Sequence, residues 1–180
     1  MKRCRWVNEE NERYVKYHDE EWGVASHEDS YLFEMLLLES FQAGLSWECI
    51  LNKRENFKEA FDEFDYKKIA KYDENKIESL LKNPGIIRNK RKVNAAIKNA
   101  QIFLEIQKEY STFSNYIWHF TKNKVIKNKD DIFHTTSTLS DEISKDLQKR
   151  GMKFVGSTII YSYLQAIGVL DDHEKDCEWY

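Results

Sequence analysis

The sequence predicts an all-α fold in one domain. Only six glycines and one proline occur in 180 residues, which leaves little turn material for a sheet of many strands. Apolar residues recur at helical spacing in several segments, and 41% hydrophobic content is enough to build one core. No internal repeat, and no linker rich in Gly, Pro or Ser, divides the chain. We therefore expect a single helical unit over residues 1–180.

The first strong helix signal is DSYLFEMLLLESFQA, residues 29–43, which opens with two N-cap residue types. Its core-facing stripe has four members at i, i+3, i+4 and i+7: Leu32, Met35, Leu36 and Glu39. One member of this stripe is a carboxylate. A buried carboxylate without a partner costs several kcal/mol, so its position makes Glu39 a candidate functional residue. The alternative is a solvated Glu near a helix end.

Helical spacing and capping residues predict the remaining elements in order. They are a helix capped by Ser46 and reaching Phe64, short helices starting near Asp65 and Asp73, a long helix over 88–109, an aromatic helix over 112–120, a helix opened by a Thr138–Asp141 capping box, and an apolar helix over 154–167. The NPG sequence at 83–85 predicts a turn. The polar stretch 121–137 predicts the longest loop.

Charge and cysteine usage narrow the class of protein. A net charge of −3 argues against a uniformly basic surface and leaves local basic patches open. No apolar run reaches the length of a membrane span, and the start MKRCRWVNEENERY lacks the apolar core of a signal peptide. We expect a cytoplasmic protein with no membrane contact, whose three cysteines are thiols rather than a disulfide framework.

A candidate metal site is divided between the two ends of the sequence. HEKDC, residues 173–177, places His173 and Cys177 four residues apart, which puts both on one face of a helical turn. Cys4 and His18 lie near the other end. Together they make a Cys2His2 set that suits a closed, tetrahedral and therefore structural zinc ion, which would clip the termini together. The alternative is a buried Cys4 thiol and two ordinary surface histidines.

Aromatic residues crowd the sequence around the first two of these ligands. Trp6, Tyr14, Tyr17 and Trp22 lie within the first 22 residues, and Trp47 follows Glu39 closely. Rings around one carboxylate suit a flat, electron-poor or cationic guest, such as a modified nucleobase. The alternative is that these rings belong to the core, the commoner role of an aromatic side chain.

The segment KNPGIIRNKRK, residues 82–92, has the pattern of a short helix, a glycine turn and a basic helix. The amides of such a hairpin and the N-terminus of the following helix bind phosphate groups. Local positive charge would come from a set of basic residues: Arg88, Lys90, Arg91 and Lys92. A second basic cluster, QKRGMKF at 148–154, is a candidate for the same surface. The alternative for each is a solvated loop.

Together these stretches resemble one family, the type I 3-methyladenine DNA glycosylases of bacterial base-excision repair. The matching segments are RCRWV at 3–7, YHDEEWGV at 17–24, LFEMLLLES at 32–40, QAGLSW at 42–47, KREN at 53–56, GIIRNKRKV at 85–93 and KRGMKFVGSTIIYSYLQAIGVLDDH at 149–173. They cover nearly the whole chain, and their combination is far more specific than any single motif.

The resemblance implies a helix-hairpin-helix glycosylase architecture, with a helical core over about 25–165 and a zinc-tied lobe from about 1–24 and 166–180. It implies roles for these residues: one structural zinc ion on Cys4, His18, His173 and Cys177; base recognition by Glu39, Tyr17 and Trp47; further pocket walls at Trp6, Tyr14 and Trp22; a duplex-plugging Leu45 beside Gln42; and a backbone-binding hairpin near Gly85, next to Arg88 and Lys90. The implied reaction is hydrolysis of the N-glycosidic bond of 3-methyladenine in double-stranded DNA, by a monomer.

The hairpin departs from that of the wider helix-hairpin-helix glycosylases, many of which use an aspartate downstream of it, while the strand-cleaving ones add a lysine just after it. No aspartate occurs between Asp73 and Asp130, the usual lysine position falls on Asn89, and Ile87 replaces the second glycine. We therefore expect a monofunctional enzyme that relies on Glu39 and has no Schiff-base lyase activity. Two other classes stay open: a noncatalytic DNA-binding module, which needs no caged carboxylate, and a zinc hydrolase, which needs an open metal position.

Overall fold

A computed structural model describes residues 1–129 and 132–180, and these ranges hold ten α-helices, one 3-10 turn and two short strands. The helices are α1 (Glu12–Glu20), α2 (Asp29–Gln42), α3 (Trp47–Asn52), α4 (Arg54–Ala60), α5 (Tyr66–Ile69), α6 (Glu74–Lys82), α7 (Lys90–Tyr110), α8 (Phe113–His119), α9 (Thr138–Lys149) and α10 (Ser157–Ala166). The strands are β1 (Ile126–Lys127) and β2 (Leu170–Asp171), and the 3-10 turn is Asp62–Phe64. The mostly helical class expected from the sequence is confirmed.

Helix α2 runs through the centre of the core. It packs against α3, α7, α8 and α10, and residues 35–41 are all buried. A helix covered on every side needs apolar residues on every side, and the run LFEMLLL supplies them. Glu39 lies in the last turn of this helix and therefore enters the protein interior rather than solvent.

Helix α7 is the longest helix of the described ranges and packs against α2, α5, α6 and α8. It begins at Lys90 because the side chain of Asn89 accepts the Lys92 backbone N–H at 3.1 Å and so caps the first turn. The predicted order of short helix, turn and basic helix is present as α6, residues 83–89 and α7. In the part of the chain that the structure describes, no helix has both the length and the apolar character needed to cross a membrane.

The single helix predicted from Ser46 to Phe64 is wrong. This segment forms α3, α4 and the 3-10 turn, with a break at Lys53 and a positive φ of 59° at Glu63. Phe57, Phe61 and Phe64 are nevertheless buried. The apolar spacing identified the core residues, while tertiary packing decided where the helix breaks.

Two later helix starts also differ from the prediction. The capping box of α9 is formed by Ser137 and Ser140, one residue before the predicted Thr138–Asp141 pair, because Ser137 has the extended backbone that an N-cap needs. Helix α10 begins at Ser157 rather than 154. Phe154 has a φ of +56°, which excludes it from a right-handed helix.

The predicted loop 121–137 contains β1, which pairs in parallel with β2 so that Ile126 lies opposite Leu170. A strand of two residues has no alternating pattern, so periodicity gives no signal for it. The pairing holds the first part of this loop against the C-terminal segment. Residues 130 and 131 lie outside the described residues.

The two ends of the chain lie against each other. The backbone N–H of Glu178 donates to the Lys2 carbonyl at 3.0 Å, and Arg5 Nε donates to the Glu174 carboxylate at 2.9 Å. Lys2 also forms an ion pair with Asp176. The N-terminal and C-terminal segments are therefore joined by both backbone and side-chain contacts.

Candidate functional site

The carboxylate of Glu39 is buried without a compensating partner. Only 2% of the residue is exposed, and Oε2 has no hydrogen-bond partner among the described residues. Burial alone raises the pKa of Glu39 well above its ordinary value, because removing the charged form from water is unfavourable. A buried acid of this kind in a cavity is typical of a functional site.

Glu39 forms part of the lining of a cavity of about 160 Å³. This volume is roughly ten times the ~15 Å³ that one water needs, so the cavity has room for a larger guest. Its lining residues are Trp6, Tyr14, Tyr17, Trp22, Glu39, Gln42, Trp47, Phe133, Ser162 and Gln165. The structure thus brings together all six residues that the sequence suggested for a base pocket, and Gln42 with them.

Three lining residues had not been expected from the sequence. Ser162 and Gln165 lie on α10, three residues apart, so that both face the cavity. Two polar residues at this spacing in an apolar helix were a usable signal. Phe133 lies in the polar stretch after β1, where no periodic pattern marks a lone aromatic residue.

The aromatic rings form a connected wall. The ring centroids of Tyr17 and Trp47 are 5.2 Å apart, and Trp6 lies 5.2 Å from Tyr14 and 4.8 Å from Trp22. The tilted and edge-to-face arrangements are those that aromatic pairs prefer. Flat faces of this kind can stack on a planar guest, and they attract positive charge.

Three of the lining residues carry buried polar atoms without protein partners. The indole N–H groups of Trp6 and Trp47 and the Oε1 atom of Gln42 are buried and have no hydrogen-bond partner among the described residues. Burial raises the pKa of Tyr14 to about 12 and that of Tyr17 well above its ordinary value, so both phenols stay neutral. The cavity therefore offers donors, acceptors and one carboxylate to a flat guest.

Contacts outside the cavity hold its walls in place. Asn11 caps α1, and its Nδ2 donates to the Glu48 carboxylate at 2.8 Å, next to Trp47. Asn8 Nδ2 donates to the same oxygen at 2.9 Å. Both hydrogen bonds lower the pKa of Glu48, and the one from Asn11 has the larger effect. They fix the helix that carries Tyr14 and Tyr17 against the helix that begins at Trp47.

A second set of contacts fixes the end of α1 against α2 and α10. Arg54 donates from Nη1 to Glu21 at 2.8 Å and from Nε to Glu34 at 2.7 Å. The Tyr31 hydroxyl contacts Glu21 at 3.1 Å and the Ala166 carbonyl at 3.2 Å. Arg54 belongs to the KREN segment, and its two ion pairs help to hold the end of α1 beside Trp22.

The cysteine and histidine residues of the two termini meet beside this wall. One ligand atom each of Cys4, His18 and Cys177 lies within 4.8 Å of the others, and all three residues are buried. His173 is adjacent but outside that group: its ring centroid is 5.1 Å from that of His18. Its Nε2 atom is buried and has no partner among the described residues.

Both histidines are oriented by aspartates. Asp19 Oδ1 lies 2.8 Å from His18 Nδ1, and Asp171 Oδ1 lies 2.7 Å from His173 Nδ1. A carboxylate on Nδ1 leaves Nε2 available as a metal ligand, the arrangement that commonly surrounds metal-binding histidines. Burial lowers the pKa of His18, which favours the neutral, ligating form.

The donor set fits a zinc ion on chemical grounds. Two sulfurs and two imidazole nitrogens are a common tetrahedral zinc set. Cys177 Sγ already lies 3.6 Å from His18 Nε2, and burial raises the pKa of Cys4 to about 12. A bound cation would reverse that effect on the thiol.

The helical turn expected at 173–177 is wrong. These residues lie outside any helix, and the Cys177 N–H donates to the Glu174 carbonyl at 2.9 Å in a turn. The Asp171 side chain competes for this backbone, because it accepts from the His173 amide at 3.4 Å as well as from its ring. Gly23 makes room for that ring, since a Cβ at position 23 would lie 2.9 Å from His173 Cε1.

The turn between α6 and α7 has an internal bonding pattern of its own. The Gly85 amide donates to Asn83 Oδ1 at 2.8 Å, and its carbonyl accepts from Asn56 Nδ2 at 3.1 Å. Arg88 is exposed. Lys90 is also exposed and pairs with Glu74 at 3.3 Å. The turn presents basic side chains at the N-terminus of α7, while the Gly85 amide is already occupied.

Lys92 does not supply surface charge, contrary to the expectation from the basic run. Its side chain is buried, and Nζ donates to the carbonyls of Phe41 at 2.8 Å and Ala43 at 2.6 Å. Burial lowers its pKa. In the second basic cluster, Arg150 is likewise paired with Glu109 and Asp146.

Lys92 thereby caps the C-terminus of α2, where four carbonyls would otherwise lack helical partners. The chain turns there through Gly44, with a φ of +78°, and the Leu45 N–H donates to the Gln42 carbonyl at 2.6 Å. Leu45 is 40% exposed at the tip of this turn. One helix end thus places Glu39 and Gln42 in the cavity and Leu45 outside it.

The chain is similar to known DNA glycosylases over nearly its whole length. A family model described as methyladenine glycosylase matches residues 6–180. DNA-3-methyladenine glycosylase of Haemophilus influenzae is 43% identical over 178 residues, which are 97% of this chain and 96% of that protein. A crystal structure of 3-methyladenine DNA glycosylase I has a TM-score of 0.94 at 42% identity and covers 98% of both chains.

A second solved structure is informative about the cavity. It is a tyrosine-to-phenylalanine variant of 3-methyladenine DNA glycosylase I in complex with 3-methyladenine, with a TM-score of 0.93 at 34% identity. The match covers 99% of this chain and 97% of that one. The shared sequence, the shared fold and the match over residues 6–180 agree: the chain belongs to the methyladenine glycosylase family.

Proposed function

We propose that this protein is a base-excision repair enzyme that hydrolyses the N-glycosidic bond of 3-methyladenine in alkylated double-stranded DNA. The products are the free base and an abasic site. One observation carries the proposal: a buried carboxylate, Glu39, has an oxygen without a partner inside an aromatic cavity. Membership of the methyladenine glycosylase family agrees with it.

The charge of the substrate explains why this cavity suits it. Methylation at N3 makes adenine cationic, and a cation beside Glu39 restores the ionised form that burial disfavours. We assign Glu39 as the catalytic residue because its buried carboxylate lines the cavity that would hold the reacting base. A noncatalytic DNA-binding module would have no use for such a group.

The reaction needs little protonation, because the positive base is already an activated leaving group. As the bond from N9 to the sugar C1′ breaks, its electron pair moves onto the base and neutralises it. A water oxygen then bonds to C1′ and releases a proton. The main work of the protein is to extract the base from the duplex and hold it.

The aromatic wall holds the extracted base. Tyr17 and Trp47 are assigned the closest contacts, because their rings lie together beside Glu39. Trp6, Tyr14 and Trp22 complete the wall. Stacking on aromatic side chains is worth about 1–3 kcal/mol per base, which offsets part of the few kcal/mol that unstacking costs.

Leu45 is assigned to fill the gap left in the duplex, with Gln42 beside it. An exposed apolar side chain at the tip of a turn has the form of the wedges that enter base stacks. Since Lys92 and Gly44 set the shape of this turn, they determine the position of the Leu45 side chain relative to the cavity.

The α6–turn–α7 unit is proposed as a helix-hairpin-helix element that binds the DNA backbone near Gly85. Arg88 and Lys90 are exposed at the N-terminus of α7, where both the side chains and the helix dipole favour a phosphate. The Gly85 amide donates to the Asn83 side chain, so it is not available to a phosphate. Gly85 would instead contribute to the shape of the hairpin.

The four terminal residues Cys4, His18, His173 and Cys177 are proposed as ligands of one zinc ion. Its chemistry would be structural, because four protein ligands leave no position for a reacting water. A zinc hydrolase would instead need an open position on the metal. The ion would join residues of about 1–24 and 166–180 into one lobe of a single unit that spans the chain.

Lyase activity is not part of the proposal. No lysine occurs among the described lining residues of the cavity. Lys90 pairs with Glu74, and the ammonium of Lys92 is bound to two carbonyls. Strand cleavage needs an amine that can attack the sugar, and neither lysine is placed for that.

The test is release of purines from alkylated duplex DNA, measured by chromatography of the liberated bases. The protein should release 3-methyladenine and leave an unbroken strand. Loss of a charged hydrogen-bonding group from a buried site costs roughly 2–5 kcal/mol, so Glu39→Gln should lower kcat/KM by about 30-fold or more. Release by Glu39→Gln at the parent's rate would remove this carboxylate from the mechanism.

A further inference from the structure

Phe133 lies in an unusual position for a large apolar side chain. It belongs to the cavity lining together with Glu39, Trp6 and Trp47, yet 76% of the residue is exposed. Scattered apolar residues on a surface need no explanation, but one that forms the edge of a functional cavity does.

The second hollow of the structure locates this ring more closely. A smaller hollow of about 30 Å³ adjoins the first and shares four lining residues with it: Trp6, Trp22, Phe133 and Gln165. Phe133 therefore stands where the aromatic cavity opens outward, in contact with the space on both sides. A guest bound in the cavity can therefore touch this ring at the exposed edge of the lining.

The other rings of the cavity are half-buried or buried, and their partners are one another. Phe133 takes part in no ring pair among the described residues. Its high exposure means that the folded protein gains little from burying it. Its apolar face is therefore open to a ligand, in addition to the ring faces of the cavity wall.

We propose that Phe133 is a further substrate-binding residue, whose ring packs against the extracted base at the mouth of the cavity and covers it. The inference rests on the proposed function. A phenyl ring has no polar atom, so it would add stacking and attraction to a cationic base without choosing between purines by hydrogen bonds. The ligand that it contacts is the base, not the intact duplex.

The experiment compares Phe133→Ala with Phe133→Tyr and with a matched control, Val125→Ala. Val125 is 42% exposed in the same connecting segment and is absent from the lining of both hollows. Base release from methylated duplex is measured as kcat/KM. Binding of free 3-methyladenine is followed by quenching of the cavity tryptophans, and affinity for undamaged duplex by anisotropy.

Phe133→Ala should lower both kcat/KM and free-base affinity by roughly tenfold, within the range expected for one lost stacking contact. Phe133→Tyr should restore most of the loss, and Val125→Ala should match the parent. Affinity for undamaged duplex should be unchanged in all of them. Because Phe133 is highly exposed, its replacement should leave the melting temperature at that of the parent. A loss of binding can therefore be distinguished from a loss of folding.

Two results would overturn the proposal. One is unchanged free-base affinity in Phe133→Ala. The other is an equal loss of affinity for undamaged duplex, which would make Phe133 a contact to DNA rather than to the base. If the parent released no base, the proposed function would fail, whereas the free-base measurement would still decide the role of Phe133.

Discussion

The charge state of Glu39 depends on what occupies the cavity. Its surroundings are aromatic rings, and no cationic side chain contributes to its pKa. Arg54, which helps to hold this wall, is bound to Glu21 and Glu34 instead. A guest that brings its own positive charge therefore supplies the interaction that the protein leaves unmade.

This environment predicts a pH dependence of stability that Glu39→Gln removes. The pKa is raised in the folded state above its ordinary value of 4.5. Below pH 4.5 both states are protonated; as pH rises, the unfolded chain loses its proton first, so the free energy of unfolding falls until the folded pKa is reached. At neutral pH, Glu39→Gln should be more stable than the parent by about 1–3 kcal/mol.

Urea denaturation of both proteins between pH 4.5 and 8 measures this difference. The gap should open as pH rises, and saturating 3-methyladenine should stabilise the parent more than Glu39→Gln. A gap that is constant over this range would mean that Glu39 finds a compensating partner in the free protein.

At the residue scale, the site was predictable from residues whose type departs from the sequence pattern around them. Glu39 stood out because a carboxylate occupied an apolar stripe, and the aromatic residues stood out because they were crowded. Phe133 gave no such signal, because it lies in a loop whose path depends on contacts distant in sequence. Lys92 was misread since a lysine in a basic run gives no sign that its ammonium is buried against two carbonyls.

At the scale of elements, α2 and α7 meet between the two segments that we propose to contact DNA. Lys92 lies in the first turn of α7, and its ammonium caps the end of α2. The hairpin before α7 and the Leu45 turn after α2 are therefore held in a fixed relation. A change at Lys92 should alter both stability and the placement of the plug.

Lys92→Met tests this relation. It keeps the apolar stem but leaves the carbonyls of Phe41 and Ala43 without their donor, which should lower the free energy of unfolding by about 1–3 kcal/mol. Activity on duplex DNA should fall further than affinity for the free base. Lys90→Met is the control for stability, since Lys90 is exposed, and it should stay within about 0.5 kcal/mol of the parent. Equal losses in duplex activity and free-base affinity would contradict a specific effect on the turn.

Most elements were predictable because helical periodicity and caps are local. The spans of α2, α7 and α8 lie close to those expected, and Asn89, Thr112 and Ser46 cap helices as their residue types suggest. The predicted helix boundaries were wrong where tertiary packing sets the end of a helix. Local sequence patterns do not predict three such features: the break at Lys53, the positive φ of Phe154 and the pairing of β1 with β2.

At the scale of the molecule, the termini are built into the wall of the cavity. Trp6 and Trp22 lie in the N-terminal segment, and the ring of Trp22 is 4.8 Å from that of His173. Anything that loosens the terminal cluster therefore loosens the aromatic wall. The sequence suggested the four ligands, but not the turn at 174–177 that brings Cys177 to His18, because the position of this turn depends on contacts between opposite ends of the chain.

Metal analysis should find one zinc ion per chain. Removal by a chelator, or Cys177→Ser, should lower the melting temperature by about 10 °C or more, because binding energy at a structural zinc site is folding energy. Cys49→Ser is the matched control, since Cys49 lies outside the cluster, and it should melt with the parent. A parent free of zinc and unaffected by chelator would show that the cluster is held by packing alone.

The most direct test is a crystal structure of the protein with 3-methyladenine and abasic DNA. The base should lie inside the cavity, stacked beside Tyr17 and Trp47, with a Glu39 oxygen within hydrogen-bond distance of it and Leu45 in the duplex gap. A base bound elsewhere, or a Glu39 side chain turned out into solvent, would show that this cavity is not the base pocket.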